Sequence, residues 1–140
     1  MNKLNQLKKQ HGDIIELLNE TKGMINKIDD SSVQMKIAKN ISKLAGILKI
    51  HLMSEDRNLY PAFTKSSNTD LQNKAKKYID EMGDLSSIYM DFKDKYNTQS
   101  KINNSLSQFK SEVAKVFSAI ETRIKKEDTD LYVLAEKLQV

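Results

Sequence analysis

The chain has 140 residues, 30% charged and 39% apolar, with a net charge of +4 and a pI near 9.1. It has no cysteine, which excludes disulfides, thiolate catalysis, zinc fingers and cysteine-held iron–sulfur clusters. Four glycines and one proline are too few for the turns of an all-β fold, and no apolar run approaches the roughly 20 residues that span a bilayer. One domain over residues 1–140 is expected, cytoplasmic and without a membrane partner, since the N-terminal stretch lacks a secretory apolar region. The basic balance comes from short lysine pairs, Lys8-Lys9, Lys76-Lys77 and Lys125-Lys126, interleaved with acids. These read as solvated helix faces, with no nucleic-acid partner.

Four amphipathic segments follow one another. The first places Leu4, Leu7, His11, Ile14, Leu18, Ile25 and Ile28 at steps of three and four, with a polar slot at Thr21 or Lys22, and closes at Asp29-Asp30-Ser31-Ser32. The second carries Ile37, Ile41, Leu44, Leu48, His51, Glu55 and Leu59 until Pro61 ends or kinks it. After the linker Ser66–Asp70, the third gives Leu71, Ala75, Tyr78, Met82, Leu85, Tyr89, Phe92 and Tyr96 without a break. Asn97–Ser100 leads into the fourth, with Ile102, Leu106, Phe109, Val113, Val116, Ile120, Arg123, Glu127, Leu131, Leu134 and Leu138. Four such stripes joined by short polar turns predict an all-α, antiparallel up-down-up-down four-helix bundle.

His51 and Glu55 stand four apart on a buried stripe, so both reach one inward point. A buried carboxylate costs several kcal/mol unless compensated, and a metal ion is the usual compensation beside a histidine. The stripes also repeat. Glu81–Leu85 echoes Gln10–Ile14 at an offset of 71, and Lys126–Tyr132 echoes Ser54–Tyr60 at 72. Two helical hairpins related by a pseudo-twofold are expected, with His11 matched to Met82, His51 to Arg123 and Glu55 to Glu127, all six in one layer.

His11, His51-xxx-Glu55-Asp56-xx-Leu59-Tyr60-Pro61 and Glu127-Asp128-xx-Leu131-Tyr132 resemble the hemerythrin-like, or HHE cation-binding, domains over essentially the whole chain. The resemblance implies a bundle enclosing a non-haem diiron centre, held by histidines and two bridging carboxylates. It also implies roles in oxygen binding or sensing, iron handling, and nitric oxide or redox responses, with a small diatomic ligand as partner. The chain departs from that pattern. Where the family places three histidines around one iron, this sequence has Tyr78, Met82 and Arg123; where it ligates the other, His11 and His51 remain. A complete diiron centre is therefore not expected.

Two states are open. In one, a single iron (or zinc, manganese or another divalent ion) is held by His11, His51 and Glu55, joined by Glu127, with Tyr78 and Asp128 as weaker candidates. In the other no metal binds, and Arg123 closes a polar network with Glu55, Glu127, His11, His51 and Tyr78, leaving a sensor or interaction domain. Met82 is expected to fill space. Tyr60 and Tyr132 read as helix-end packing with hydroxyls reaching solvent, Asp56 and Asp128 as surface pairs unless a local helix bulge swings Asp128 inward, and Gly12 and Gly83 as points of close helix approach. A phosphotransfer histidine would need exposure, whereas both histidines fall on buried stripes. A haem would need the apolar slot that Glu55 and Arg123 occupy. No phosphate loop or nucleophilic triad is present, so no enzyme is expected.

Overall fold

The computed structural model describes residues 2–139, and every regular element among them is helical. Helix α1 (Asn2–Met24) ends in the 3-10 turn Ile25–Lys27. Asp30 then caps α2 (Ser31–Ser54), its carboxylate accepting from the Ser32 and Val33 amides at 2.8 and 3.4 Å. A π-helical segment, Glu55–Leu59, joins α2 to α3 (Tyr60–Thr64). Asn68 caps α4 (Thr69–Met82), which is followed by α5 (Leu85–Tyr96) and the short α6 (Gln99–Asn103). Helix α7 (Leu106–Lys126) runs through a second π segment, Glu127–Leu131, into α8 (Tyr132–Lys137).

The long helices pack as neighbours: α1 against α2 and α7, α2 against α5, and α5 against α7. The apolar stripes of the sequence lie inward, with Ile25, Met82, Leu106, Leu134 and Leu138 only partly buried, and fully burying a Leu, Ile or Phe stabilises the fold by about 1.5–3 kcal/mol. Thr21 fills the polar slot of the first stripe; it is buried, and its hydroxyl donates to the Leu17 carbonyl at 2.8 Å. The core forms two apolar clusters. One contains Ile14, Leu48, Leu52, Leu85, Ile120 and Ile124; the other contains Leu7, Leu59, Tyr60, Tyr78, Leu131 and Tyr132. On the chain His11, Glu55 and Glu127 fall between residues of the two clusters, while His51 and Arg123 fall at the end of the first, and all five are buried.

Three expectations need correction. Pro61 does not end its helix. The chain continues to Thr64 because Pro61, with no N–H to give, falls where the hydrogen-bond ladder changes register and Tyr60 N–H bonds the Glu55 carbonyl five residues back. The third stripe is broken at Gly83-Asp84, between α4 and α5, and the fourth is broken at Asn104-Ser105. Nor do the glycines serve helix approach. A Cβ on Gly12 would meet nothing within 4 Å, and one on Gly83 would stand 2.5 Å from the Ile79 carbonyl oxygen of its own helix.

Opposite substitution effects are therefore expected. Gly12→Ala, in an exposed helix interior, should stabilise by about 0.5–1 kcal/mol. Gly83→Ala should destabilise by about 1–3 kcal/mol through a backbone clash. Urea unfolding of the two variants checks both signs.

Candidate metal centre

Each ligand-type side chain is delivered by a helix or a π segment. His11 comes from the middle of α1 and His51 from the last turn of α2. Glu55 opens the first π segment and Glu127 opens the second. The i, i+4 spacing sets His51 Nε2 3.1 Å from Glu55 Oε1. His11 Nε2 lies 3.1 Å from Glu127 Oε1 and 3.7 Å from Glu55 Oε2, and the two imidazoles meet edge-on at 4.6 Å. One donor atom from each of the four residues lies within 4.8 Å of all the others.

Three atoms of this cluster, His11 Nε2, His51 Nε2 and Glu127 Oε1, are buried without a hydrogen-bond partner among the described residues. The 3.1 Å approaches lack full hydrogen-bond alignment in this arrangement. Buried polar atoms are nearly always paired, so three orphans converging on one point call for an absent partner. Two imidazoles and carboxylate oxygens converging within 4.8 Å suit one first-row divalent ion, whose bonds of about 2.0–2.2 Å would hold every pair of donors within about 4.4 Å. The other ring nitrogens are engaged from outside: His11 Nδ1 with Asp128 Oδ1 and His51 Nδ1 with Gln10 Oε1, each at 2.7 Å.

Arg123 occupies the opposite side of the layer. Its Nε donates to Glu127 Oε2 at 3.1 Å, and Nη2 donates to Glu55 Oε1 at 3.2 Å and to Asp56 Oδ1 at 2.7 Å. Nη1 donates at 3.2 Å to the Met82 carbonyl, in the last turn of α4 before the Gly83-Asp84 break. Flanking carboxylates hold the Arg123 pKa above its ordinary value, so the guanidinium is a permanent cation, although burial pulls the other way.

A family model, the hemerythrin HHE cation binding domain, matches residues 2–135. The chain belongs to this family. No curated protein and no solved structure matches it.

Within this hemerythrin-like layer several residues differ from expectation. Tyr60 and Tyr132 are buried, and their hydroxyls do not reach solvent. Tyr60 donates to Glu127 Oε2 at 2.7 Å, and Tyr132 donates to Glu55 Oε2. The cause is the extra residue in each π segment, which rotates the downstream helix by about one residue. Tyr132 and Ala135 take the core positions, while Leu134 and Leu138, expected inside, are only partly buried. Tyr78, expected to join the carboxylates of the layer or to be a weaker ligand, donates to Asp130. Asp128 is corrected likewise: it touches His11 from behind and is not one of the four converging donors. Asp56 is an Arg123 partner and not a surface pair. Met82 packs against the second apolar cluster. Gln10 went unnoticed in the sequence because an amide one step off an apolar stripe carries no distinguishing signal there. Both histidines are at most 2% exposed, which removes the geometry that phosphotransfer requires.

Protonation in the metal-free layer is set by this arrangement. Burial lowers the His11 pKa, but Glu127 and Glu55 outweigh it and raise it to about 10. Burial, then the charge of Glu55, pushes Glu127 up to about 7. Burial opposes ionisation of Glu55 as well, yet the two imidazoles hold it well below the usual carboxylate range. Because the His11 and Glu127 values are raised, their contributions to folding are complete below the unfolded values and fade as pH rises through about 10 and about 7. A metal ion bound here would compete with the same protons, so its affinity would have the opposite slope. It should grow about tenfold per pH unit above neutrality and more steeply below, where two protons are displaced. Chelator competition from about pH 6 to about pH 9 measures this; an affinity independent of pH would place the ion elsewhere.

Proposed function

We propose that this hemerythrin-like chain is a metal-binding or metal-sensing protein with a half-retained site. It holds one non-haem iron, or another divalent ion, through His11, His51, Glu55 and Glu127. The carrier would be one domain over residues 1–140, an antiparallel up-down-up-down four-helix bundle with a pseudo-twofold between its hairpins. Arg123 takes the charge of a second ion, so the layer accepts one metal and not a diiron pair. The observation that carries this reading is the convergence of three unpartnered buried donors, two imidazole nitrogens and one carboxylate oxygen.

When bound, the ion would supply a Lewis-acidic, redox-capable centre able to take a small diatomic ligand. The chain's own residues do the rest. Tyr60 and Arg123 bind Glu127 Oε2, leaving its Oε1 toward His11, while Tyr132 and Arg123 hold the two oxygens of Glu55. The two apolar clusters exclude water from both sides. Nothing in this set resembles an acid–base or nucleophilic apparatus, which favours binding and response over enzymatic turnover. A soluble cytoplasmic setting, and a response to oxygen, redox state or nitric oxide, extend the same reading.

One observation favours a second reading, a metal-free sensor or interaction bundle. His11 lies between Asp128 and Glu127, and with its raised pKa a protonated imidazole would balance the carboxylate charge that Arg123 leaves over. Calorimetric titration of chelator-treated protein with ferrous, manganese and zinc ions separates the two. The metal reading expects a saturable site that His51→Ala loses. Absence of any uptake by the unaltered chain supports the closed network.

A further inference from the structure

Both imidazoles are held from behind by side chains outside the converging set, and the holders are arranged crosswise. Gln10, one step before His11 on α1, engages His51; Asp128, one step after Glu127 in the second π segment, engages His11. A neutral imidazole carries one N–H and one lone pair, and only the lone pair can bind a cation. Asp128 is an acceptor, so the proton of a neutral His11 belongs on Nδ1 and the lone pair on Nε2, one of the orphaned atoms. Gln10 presents its amide oxygen to His51 Nδ1 with the same result.

The sequence repeat gives a parallel in role and not in contact, since Asp56–Arg123 maps onto Asp128–His51 whereas Asp128 holds His11. Asp56, the counterpart of Asp128 at an offset of 72, holds Arg123, the counterpart of His51, at 2.7 Å. The acid following each buried glutamate thus supports the layer from outside in both halves, once on a ligand-type side chain and once on the guanidinium. The two histidine holders differ in charge. A carboxylate behind an imidazole makes it a stronger donor than an amide does.

We infer that Gln10 and Asp128 are positioning residues that set the affinity of the site by fixing which nitrogen of each histidine faces the ion, with Asp128 contributing more. This rests on the metal-binding reading above. The test uses the full chain and cobalt(II) as probe, with dissociation constants from chelator competition and the visible absorption band of the bound ion. Gln10→Leu and Asp128→Leu should each weaken binding by about 10–100-fold, Asp128→Leu more. Gln10→Glu, which keeps an acceptor oxygen, should restore or exceed the original affinity and shift the band. Thermal melting of each metal-free variant confirms that it is folded. If the unaltered chain takes up no cobalt, the metal reading and this inference fall together. If it binds cobalt and both leucine variants bind as tightly, or Gln10→Glu binds no better than Gln10→Leu, the inference alone is overturned.

Discussion

Arg123→Leu is expected to destabilise the metal-free protein by about 3–5 kcal/mol, the usual cost of removing one member of a buried ion cluster. Glu55 and Glu127 are both 0% exposed, and Arg123 is the one arginine or lysine that bridges them among the described residues. Leucine would leave two buried carboxylates balanced only by the imidazoles, a Met82 carbonyl without its donor, and Asp56 without its ion pair. Leucine roughly matches the apolar stem, so the loss would reflect charge more than volume. Urea unfolding with and without a divalent ion measures it. The ion should recover part of the loss by supplying positive charge to the same oxygens. A loss below about 1 kcal/mol would mean that the carboxylates are not held ionised.

Tyr132→Phe should cost about 1.5–3 kcal/mol, and Tyr60→Phe a similar amount, because each removes a hydrogen bond to a buried charged group. The ring of Tyr132 stacks on His11 at 5.5 Å with an interplanar angle of 6°, and Tyr60 lies under Arg123 at 5.3 Å. Phenylalanine preserves both contacts, so the measured loss isolates the hydroxyl. The loss should be greater above neutral pH than below it for Tyr60→Phe, since its partner Glu127 is pushed up to about 7 and ionises fully only above that value. Unfolding curves of the two variants that match the parent would show that neither hydroxyl bears on an ionised carboxylate.

Helix content and the inward stripes were legible in the sequence because a period near 3.6 depends only on which residues are apolar. His11, His51, Glu55, Arg123 and Glu127 were legible for the same reason: they are polar residues on those stripes, and all five are buried. What the stripes concealed were departures from the α period. Two π segments reset the phase after Glu55 and Glu127, turning Tyr60 and Tyr132 inward and leaving Leu134 and Leu138 at the margin. A local bulge that swings Asp128 inward is open to sequence reasoning, but counting threes and fours gives no sign that it recurs at Glu55 and turns both tyrosines inward. The break at Gly83-Asp84 was hidden differently, since Met82 and Leu85 keep the step of three across it. The holders Gln10, Asp56 and Asp128 lie one position off the stripes, where charged and amide residues are ordinary surface, and only the three-dimensional arrangement separates them from it.

The retained half-site is tested most directly by counting metal. Elemental analysis of the protein, reconstituted anaerobically with excess ferrous iron and freed of unbound metal, should give one iron per chain, with His51→Ala giving essentially none. Two irons per chain would contradict the substitution of Arg123 for the second ion. No iron in the unaltered chain, nor zinc or manganese in its place, would contradict metal binding itself and leave the arginine–carboxylate network as the function-bearing state of the layer.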